Sequence, residues 1–291
     1  MRWFDELDPA AEREVHELLV AARDADGQPE EVTAPAGGLH LLAHDERGEL
    51  AGYAHLDTSG DAFGHQVAEL IVRPDHRSRG VGTALARALA DRVPGKLRVW
   101  AHGDHPAAAR IAEREGFTRA RELLIMRAAV NDDWPEPAPP QGVSLRTFVP
   151  GRDERAVVDV NARAFDWHPE QGSLTVEEFE ESEAESWFDP AGFFLAERDG
   201  RVIGFHWTKV HPAHPRRFGG EEIGEVYVVG VDPDAQGGGL GKALTVAGLR
   251  YLRDKGLRHI ILYVEADNAP AIAVYSRLGF DRYQSDIQYA R

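Results

Sequence analysis

Two stretches of this chain have the same order of an apolar run, a glycine-rich turn and a pattern typical of a helix. In the second stretch, the valine-rich run at 226–231 is followed by four glycines within 237–241. In the first stretch, the run at 67–72 precedes Gly80 and Gly82. Glycine allows positive φ and close approach of a ligand, and the first N–H groups of a helix favour an anion. Each stretch is therefore predicted to hold a phosphate or pyrophosphate, although a glycine-rich turn alone is also compatible with a plain surface turn.

The separation of the two stretches indicates a duplicated domain. Asp75 and Asp234 open the two turns, 159 residues apart (75 to 234), and at this offset Gly80 meets Gly239. A repeat of this length, with the same order of strands and helices around it, predicts a tandem of two domains of the α/β class. We expect the strand at 123–127 to close the first unit.

Residues 131–141, with the sequence NDDWPEPAPPQ, separate the two copies. Four prolines in this short segment predict a stiff, extended linker. We therefore place the N-terminal domain at 1–130 and the C-terminal domain at 142–291. Such a linker makes some relative motion of the domains plausible.

The composition argues against several classes of protein. The 291 residues carry a formal net charge of -16 and no cysteine. The acidic balance disfavours electrostatic binding of nucleic acid, and the lack of cysteine excludes disulfides, thiolate metal sites and a cysteine nucleophile. The acidic start lacks an apolar signal region, and no run reaches the roughly 18 apolar residues of a membrane span. We expect a cytoplasmic monomer that binds neither nucleic acid nor membranes, and we assign no metal site.

The two copies differ in ionisable residues. Glu225 and Tyr275 in the second copy correspond to Gln66 and Ala112 in the first. A carboxylate can take the proton that an ammonium must lose before it attacks a thioester, and a tyrosine O–H can protonate the departing thiolate. The second copy is therefore predicted to acylate an amine. Simpler interpretations remain: Glu225 at a solvated strand end, Tyr275 in the core, and Lys209 exposed on an edge strand.

The glycine-rich turn carries the first resemblance to a known family. Residues 236–241, QGGGLG, fit the pattern Q/R-x-x-G-x-G/A, and the strand, turn and helix resemble the acetyl-CoA site of the GNAT N-acetyltransferases. The resemblance implies two tandem GNAT domains, each a mixed and mostly antiparallel sheet flanked by helices, with acetyl-CoA as cosubstrate. It also implies that the strand before each turn splays from its neighbour to bind the pantetheine arm.

Further motifs resemble the mycothiol synthase family of tandem GNAT enzymes. They are NARAF at 161–165, HPEQG at 168–172, WFDP at 187–190, FHWTK at 205–209, GEVYVVGV at 224–231 and LYVEADN at 262–268. The resemblance implies transfer of acetyl from acetyl-CoA to the cysteinyl amine of Cys-GlcN-Ins, with Glu225 as general base and Tyr275 as general acid. The implied contacts to the pseudodisaccharide are Glu31 (with Glu30 as the alternative), Glu170, Lys209, Glu225 and Tyr263.

The resemblance also implies two acetyl-CoA sites. In the catalytic domain the contacts are Val229, Gly230, Val231, Gln236, Gly237, Gly238, Gly239, Leu240, Gly241, Lys242, Asn268, Ala269, Pro270, Ala271, Ile272 and Ala273. In the N-terminal domain, where no chemistry is expected, they are Leu70, Ile71, Val72, Arg77, Ser78, Arg79, Gly80, Val81 and Gly82.

Two other functions are compatible with parts of this pattern. A tandem GNAT enzyme acting on another small amine, an aminoglycoside or a protein N-terminus would keep Glu225, Tyr275 and both turns. It would have no particular need for Glu170, Lys209 and Tyr263 together. A non-catalytic acyl-CoA sensor would keep the turns but would have no use for Glu225 and Tyr275.

Overall fold

The computed structural model describes residues 1–27, 34–61, 63–167, 171–215 and 218–291. Within these ranges, the first repeat forms β1 (Arg2–Phe4), α1 (Pro9–Asp26), β2 (Leu39–His44), β3 (Leu50–Asp57), β4 (Gln66–Val72), α2 (Val81–Arg92), β5 (Leu97–Ala101), α3 (Pro106–Arg114) and β6 (Thr118–Ala129). The second repeat forms β7 (Ser144–Thr147), α4 (Glu154–Ala164), α5 (Val176–Glu183), β8 (Phe193–Arg198), β9 (Arg201–His211), β10 (Ile223–Val231), α6 (Leu240–Asp254), β11 (His259–Glu265), α7 (Ala269–Arg277) and β12 (Asp281–Ala290).

The helices begin and end where local chemistry requires it. The Asp8 side chain accepts from the first N–H groups of α1, and Gly27, at φ 70°, ends that helix in the left-handed region. Thr175 and Glu178 form a reciprocal capping box at the start of α5, and Phe179 of that helix is fully buried. No helix within the described ranges is both long and apolar enough to cross a membrane.

The twelve strands of the described chain form one continuous sheet. Their order is β1-β2-β3-β4-β5-β12-β6-β11-β10-β9-β8-β7. Only β4–β5 and β10–β11 run parallel, and every other neighbouring pair is antiparallel. The expectation of mixed, mostly antiparallel sheets flanked by helices is confirmed.

The two repeats exchange their last strands. β6, from the first repeat, pairs with β11 of the second, and β12, from the second repeat, pairs with β5 of the first. Ile287 of β12 therefore packs in the core beside Leu85 and Leu89 of α2. The expectation that residues 123–127 close the first unit is wrong, because β6 lies between β12 and β11 instead of beside β5. The ranges 1–130 and 142–291 stay a prediction from the sequence repeat, and each packed half takes a strand from the other repeat.

Helices cover both faces of the sheet. We call the face covered by α1, α4 and α5 the front face, and the face covered by α2, α3, α6 and α7 the back face. On the front face, Phe205 and Trp207 of β9 pack with Phe179 of α5. On the back face, Val226 of β10 packs with Leu249 of α6.

The linker is attached to the C-terminal half. Trp134 is buried, and its indole N–H donates to the carbonyl of Leu278 at 3.0 Å. Arg250 of α6 donates to the carbonyl of Trp134 and forms an ion pair with Glu136. These contacts hold residues 134–136 against α6, so this part of the linker is not a free hinge.

Candidate active site

One extra residue in β10 decides which side chains of this strand reach the front face. The pairing of β10 with β9 shifts between Val226 and Val228, so Tyr227 is a β-bulge residue. A bulge adds one residue to one strand and changes which face the neighbouring side chains point to. Here it places Glu225 on the front face, directly opposite Lys209 of β9.

The first repeat has no bulge at this point. The pairing of β3 with β4 is regular, and Ala68 packs in the back-face core. Gln66, two residues earlier on the same strand, shares that face because side chains alternate. Gln66 and Glu225 therefore correspond in sequence but lie on opposite faces of the sheet.

Glu225 is buried beside a histidine. Its side chain is 6% exposed, and that of His211 is 7% exposed. The His211 Nε2 and Glu225 Oε2 atoms are 2.6 Å apart, which is hydrogen-bond distance. A buried carboxylate requires such a partner, because burying an unpaired charge is costly. The interpretation of Glu225 as a solvated strand end is therefore wrong.

Lys209 lies between aromatic rings on the front face. Its Nζ atom is 4.4 Å from the centroid of the Trp187 ring and 5.1 Å from that of Tyr227. Cation–π attraction holds an ammonium in such a position while leaving its N–H donors available. The suggestion that Lys209 is exposed on an edge strand is wrong, because β9 lies between β8 and β10.

A cavity of about 260 Å³ opens on the front face under α4 and α5. Its lining includes Asn161, Gln171, Trp207, Tyr227 and Val228. The indole N–H of Trp207 is buried and has no hydrogen-bond partner within the described ranges. An amide, an indole N–H and a phenol suit a polar acceptor better than an apolar one.

Tyr263 extends the same face across β11. Glu225 pairs with Ile261, and Tyr263, two residues further along, packs with Ile125 and Ile223. The sheet therefore carries Lys209, Glu225 and Tyr263 on adjacent strands of one face. Glu30, Glu31 and Glu170, the other predicted acceptor contacts, lie outside the described residues.

The parallel strands β10 and β11 separate beyond Glu225. Their last paired residues are Val226 and Leu262, although the strands continue to Val231 and Glu265. Backbone N–H and C=O groups on the facing edges are left available to a ligand that enters this opening. A Cβ at position 230 would lie 2.5 Å from the Phe205 ring, so the close contact between β10 and this ring requires Gly230.

Tyr275 lies on the other face of the sheet. It belongs to α7 and packs against the back-face core, near Val229 of the splayed part of β10. Burial raises the pKa of the Tyr275 hydroxyl to about 12, so the group stays protonated at neutral pH. A protonated hydroxyl on the back face and a carboxylate on the front face are therefore on opposite faces of the sheet.

The glycine-rich turn lies at the end of β10. Gly237, Gly238 and Gly239 have φ angles of 89°, 57° and 86°, and Gly239 is the N-cap of α6. The N-terminal turn of a helix leaves N–H groups without helical acceptors, and they favour an anion. Exposed Lys242, in that turn, adds a positive charge.

The first residue of the turn has a structural role in both halves. The Gln236 side chain donates to the carbonyl of Val231 at 3.5 Å, and Arg77 donates to that of Val72 at 3.3 Å. The Arg77 guanidinium also forms two hydrogen bonds of 2.7 Å with Asp26 at the end of α1. Both side chains were predicted as cosubstrate contacts, and here each ties the turn to its preceding strand.

The other predicted cosubstrate contacts take similar positions around both openings. Asn268 caps α7 by accepting from the N–H of Ala271, and this turn includes Ala269, Pro270, Ile272 and Ala273. In the N-terminal half, Leu70, Ile71 and Val72 lie beyond Glu69 and Trp100, the last pair of β4 and β5. Ser78 has φ 63° where the second repeat has Gly237, and Gly80 has φ 88° where it has Gly239. Arg79, Val81 and Gly82 complete this turn.

A histidine that was not predicted as a site residue lies at the N-terminal opening. His102 Nδ1 is 2.9 Å from Asp286 Oδ2, and His102 Nε2 is 3.9 Å from Glu69 Oε1. Burial opposes charge on His102, but the hydrogen bond and charge of Asp286 outweigh it and raise the pKa of the imidazole. Asp286 belongs to β12, so the exchanged strand supplies part of this cluster.

Three side chains of the C-terminal site were not predicted from the sequence. They are His211, which bonds Glu225, and Trp187 and Tyr227, which flank Lys209. A signal for His211 was present, because Lys209 and His211 alternate on one strand and must share a face. The bulge at Tyr227 had no recognisable sequence signal.

Both repeats match a known protein family. Residues 2–117 and 161–280 match the Acetyltransferase (GNAT) family. A GCN5-related N-acetyltransferase from Sphaerobacter thermophilus has a TM-score of 0.71 at 24% identity, covering 99% of this chain and 95% of that one. A tandem GNAT protein from the clavulanic acid biosynthesis pathway has a TM-score of 0.69 at 22% identity, covering 100% and 98%. Those structures agree with the fold, and the family match defines the class: an acetyl-CoA-dependent N-acetyltransferase with two GNAT repeats.

Several relatives with higher sequence identity to this chain share one name. A mycothiol acetyltransferase from Saccharomonospora viridis is 62% identical over 300 residues, covering 99% of this chain and 98% of that protein. One from Amycolatopsis mediterranei is 62% identical over 296 residues with the same coverage. One from Streptomyces coelicolor is 50% identical over 294 residues, covering 98% and 93%. The chain belongs to the mycothiol acetyltransferase family, which confirms the resemblance stated from its motifs.

Proposed function

We propose that this protein transfers the acetyl group of acetyl-CoA to the cysteinyl amine of Cys-GlcN-Ins, giving mycothiol. The relatives named mycothiol acetyltransferase support this reaction. The observation that carries it is the row of Lys209, Glu225 and Tyr263 on the front face, beside the opening between β10 and β11. A carboxylate, an ammonium and a phenol suit an acceptor that has both an amine and many hydroxyls.

Acetyl-CoA is proposed to lie across the opening. Its pyrophosphate binds the N–H groups of residues 237–242, and its pantetheine arm pairs with the free edge of residues 229–231. Tyr275 then faces the sulfur from the back, and Glu225 faces the acceptor from the front. The N-terminal opening is proposed to bind a second acetyl-CoA without turnover.

The reaction needs two proton transfers. Glu225, directly or through a water, takes a proton from the cysteinyl ammonium, which frees the nitrogen lone pair. The amine attacks the thioester carbonyl, so a C–N bond forms, and backbone N–H groups in the opening stabilise the oxyanion. The tetrahedral intermediate then breaks its C–S bond, and the thiolate takes the proton of the Tyr275 hydroxyl. The nitrogen gives up its second proton in this step, which restores the Tyr275 hydroxyl directly or through water. The products are the N-acetyl compound and CoA.

The acceptor is proposed to bind across the front face. Lys209 and Tyr263 contact hydroxyls of the pseudodisaccharide, with Glu170 and Glu31 (or Glu30) as further contacts. We also propose that the enzyme is cytoplasmic. It is proposed to act as a monomer, since every proposed group comes from one chain.

Steady-state acetylation by the purified protein tests the function. Cys-GlcN-Ins is compared with simple amines and aminoglycosides, at fixed acetyl-CoA. A kcat/KM for Cys-GlcN-Ins that exceeds all others by a large factor is expected. Preferred turnover of another amine would refute the acceptor but keep the reaction class, and tight acetyl-CoA binding without turnover would refute both.

A further inference from the structure

The contact between His211 and Glu225 has a specific geometry. Glu225 pairs in register with Lys209, and His211 pairs with Ile223, so the contact runs diagonally between β9 and β10. The Nε2 and Oε2 atoms are 2.6 Å apart, and both side chains are more than nine-tenths buried. The bond therefore uses one carboxylate oxygen and leaves Oε1 for another partner.

Lys209 does not take over this role. It lies directly opposite Glu225, yet no ion pair within 4.0 Å joins these two residues in the described chain. Its ammonium instead lies over the Trp187 and Tyr227 rings. His211 is therefore the group that compensates the buried carboxylate.

We propose that His211 is a positioning residue for the general base. Its Nε2–H donates to Oε2 of Glu225, which fixes the carboxylate rotamer and directs Oε1 toward the acceptor amine. The same hydrogen bond supplies the partner that a buried carboxylate requires. This role deepens the proposed function and rests on Glu225 being its base.

The proton balance is simple. One proton moves from the acceptor ammonium to Oε1 of Glu225, and no other co-reactant is needed. The His211 N–H stays on His211 throughout and keeps its bond to Oε2. The proton on Oε1 returns to solvent after the product leaves.

Other ionisable groups share this face of the sheet and remain unchanged in the test. Lys209 lies opposite Glu225, Tyr263 lies on β11, and Arg127 of β6 pairs with Ile261. From α1, Asp24 lies 3.6 Å from His214, in the segment after β9. Each is present in both members of every comparison below, so a difference reports His211 alone.

The test compares kcat and KM in the acetylation assay, for wild type, His211→Ala and His211→Gln. Any amine that the wild type acetylates can be used, so failure of Cys-GlcN-Ins as acceptor would not affect the outcome. His211→Ala is expected to lower kcat by about 10- to 100-fold, the scale of one hydrogen bond to a charged group. The KM values should change little, because His211 acts through Glu225 and not on the substrates. His211→Gln should recover part of the loss in kcat, since the glutamine amide can also donate.

A double-mutant cycle separates positioning from packing. If His211 acts through Glu225, then His211→Ala should cost little further activity in a Glu225→Gln background. His206→Asn is the matched control, because His206 is buried on the same strand but faces α6, where Nδ1 is 2.8 Å from the carbonyl of Leu244. That control should leave kcat nearly unchanged even if it lowers stability.

Two results would overturn the proposal. One is an unchanged kcat in both His211 variants. The other is a His211→Ala loss that is equally large with and without the Glu225 carboxylate. If His211→Ala does not fold, as judged by circular dichroism and acetyl-CoA binding, the kcat of His211→Gln and its double-mutant cycle with Glu225→Gln provide the test.

Discussion

Glu225 and Tyr275 lie on opposite faces of the sheet, so they could not serve one reaction if β10 and β11 stayed paired. The strands part after Val226 and Leu262, and the proposed reaction uses this gap to bring both side chains to one bound thioester. The types of both residues were predictable from sequence, because they differ between the repeats where chemistry is expected. The face of the sheet on which Glu225 lies was not predictable, because it depends on the bulge at Tyr227.

Tyr275→Phe should lower kcat by about 10²-fold or more, because general acid catalysis contributes on that scale. Acetyl-CoA binding, measured by calorimetry, should change little. Since burial raises the pKa of Tyr275 to about 12, the wild-type kcat should show no loss from this group up to about pH 10. A fall in kcat near pH 8 that disappears in Tyr275→Phe would contradict this assignment.

Lys209→Met should raise the acceptor KM by about 10- to 100-fold, because a charged hydrogen-bond donor to the sugar is lost. Trp187→Ala should raise it by a smaller factor, since it only frees the ammonium to move. Trp187→Phe, which keeps a ring under Nζ, is the matched control. Equal effects on KM for acetyl-CoA would show that the substitutions disturb the cosubstrate site instead.

At the scale of elements, the strands and helices of the repeat were largely predictable from periodicity. The helix α5 is one case: it buries Phe179 and exposes most of its carboxylates, although Glu183 is half-buried and burial raises its pKa to about 7. The short strands β1 and β7 were missed. Each lies at an edge of the sheet and has only three or four residues, too few for an alternating pattern.

The two glycine-rich turns offer a matched pair of substitutions. Gly80 and Gly239 have φ angles of 88° and 86°, and a Cβ at either would have no atom within 4 Å. Alanine at each should therefore cost a similar amount, about 1 kcal/mol, through backbone strain alone. Gly239→Ala should lower kcat/KM, whereas Gly80→Ala should weaken the first acetyl-CoA site with a smaller effect on rate. Equal losses of rate from the two substitutions in the acetylation assay would contradict the proposal that only the C-terminal half is catalytic.

His76 links the N-terminal turn to the β2–β3 hairpin. Its Nδ1 is 2.9 Å from Asp75 and its Nε2 is 3.2 Å from Asp45. The hydrogen bond to Asp75, followed by that to Asp45, raises the pKa of His76. Its unfolded pKa is about 6.5, so the stabilisation is complete below that pH and is lost as pH rises through the higher folded value.

The wild type should therefore have a higher Tm than His76→Ala, and this difference in Tm should be larger at pH 6 than at pH 9. Scanning calorimetry at both values provides the measurement. A constant difference across this range would mean that His76 contributes packing and no charge. Asp75→Asn should reduce the pH dependence as well, because it removes the main partner.

At the scale of the whole molecule, the sequence repeat predicts two similar halves, and the sheet shows that each borrows a strand. Local patterns could not predict this. β6 and β12 have the same position in their repeats, and nothing in either strand says which half receives it. The polar contacts between them are spread along both strands: Arg282 of β12 donates to Glu122 of β6 at 2.7 Å.

Residues 1–141 and 142–291, expressed separately, should each be poorly folded as monomers. The first lacks β12 and the second lacks β6, so each leaves an unfilled position in the sheet and an exposed core. Co-expression should restore a folded pair with acetylation activity. Circular dichroism and size-exclusion chromatography of the three samples test this. A stable, monomeric N-terminal half would show that β12 is dispensable there.

The exchanged strands also limit which parts of the protein can fold during synthesis on the ribosome. Leu97 exchanges two backbone hydrogen bonds with Arg291, and residues 98–101 pair with 287–290. The N-terminal half, although synthesised first, has an incomplete sheet until β12 (Asp281–Ala290) has been synthesised at the end of the second repeat. A chain interrupted anywhere in the second repeat therefore leaves both halves incomplete, and quality-control proteases would meet an open core in each.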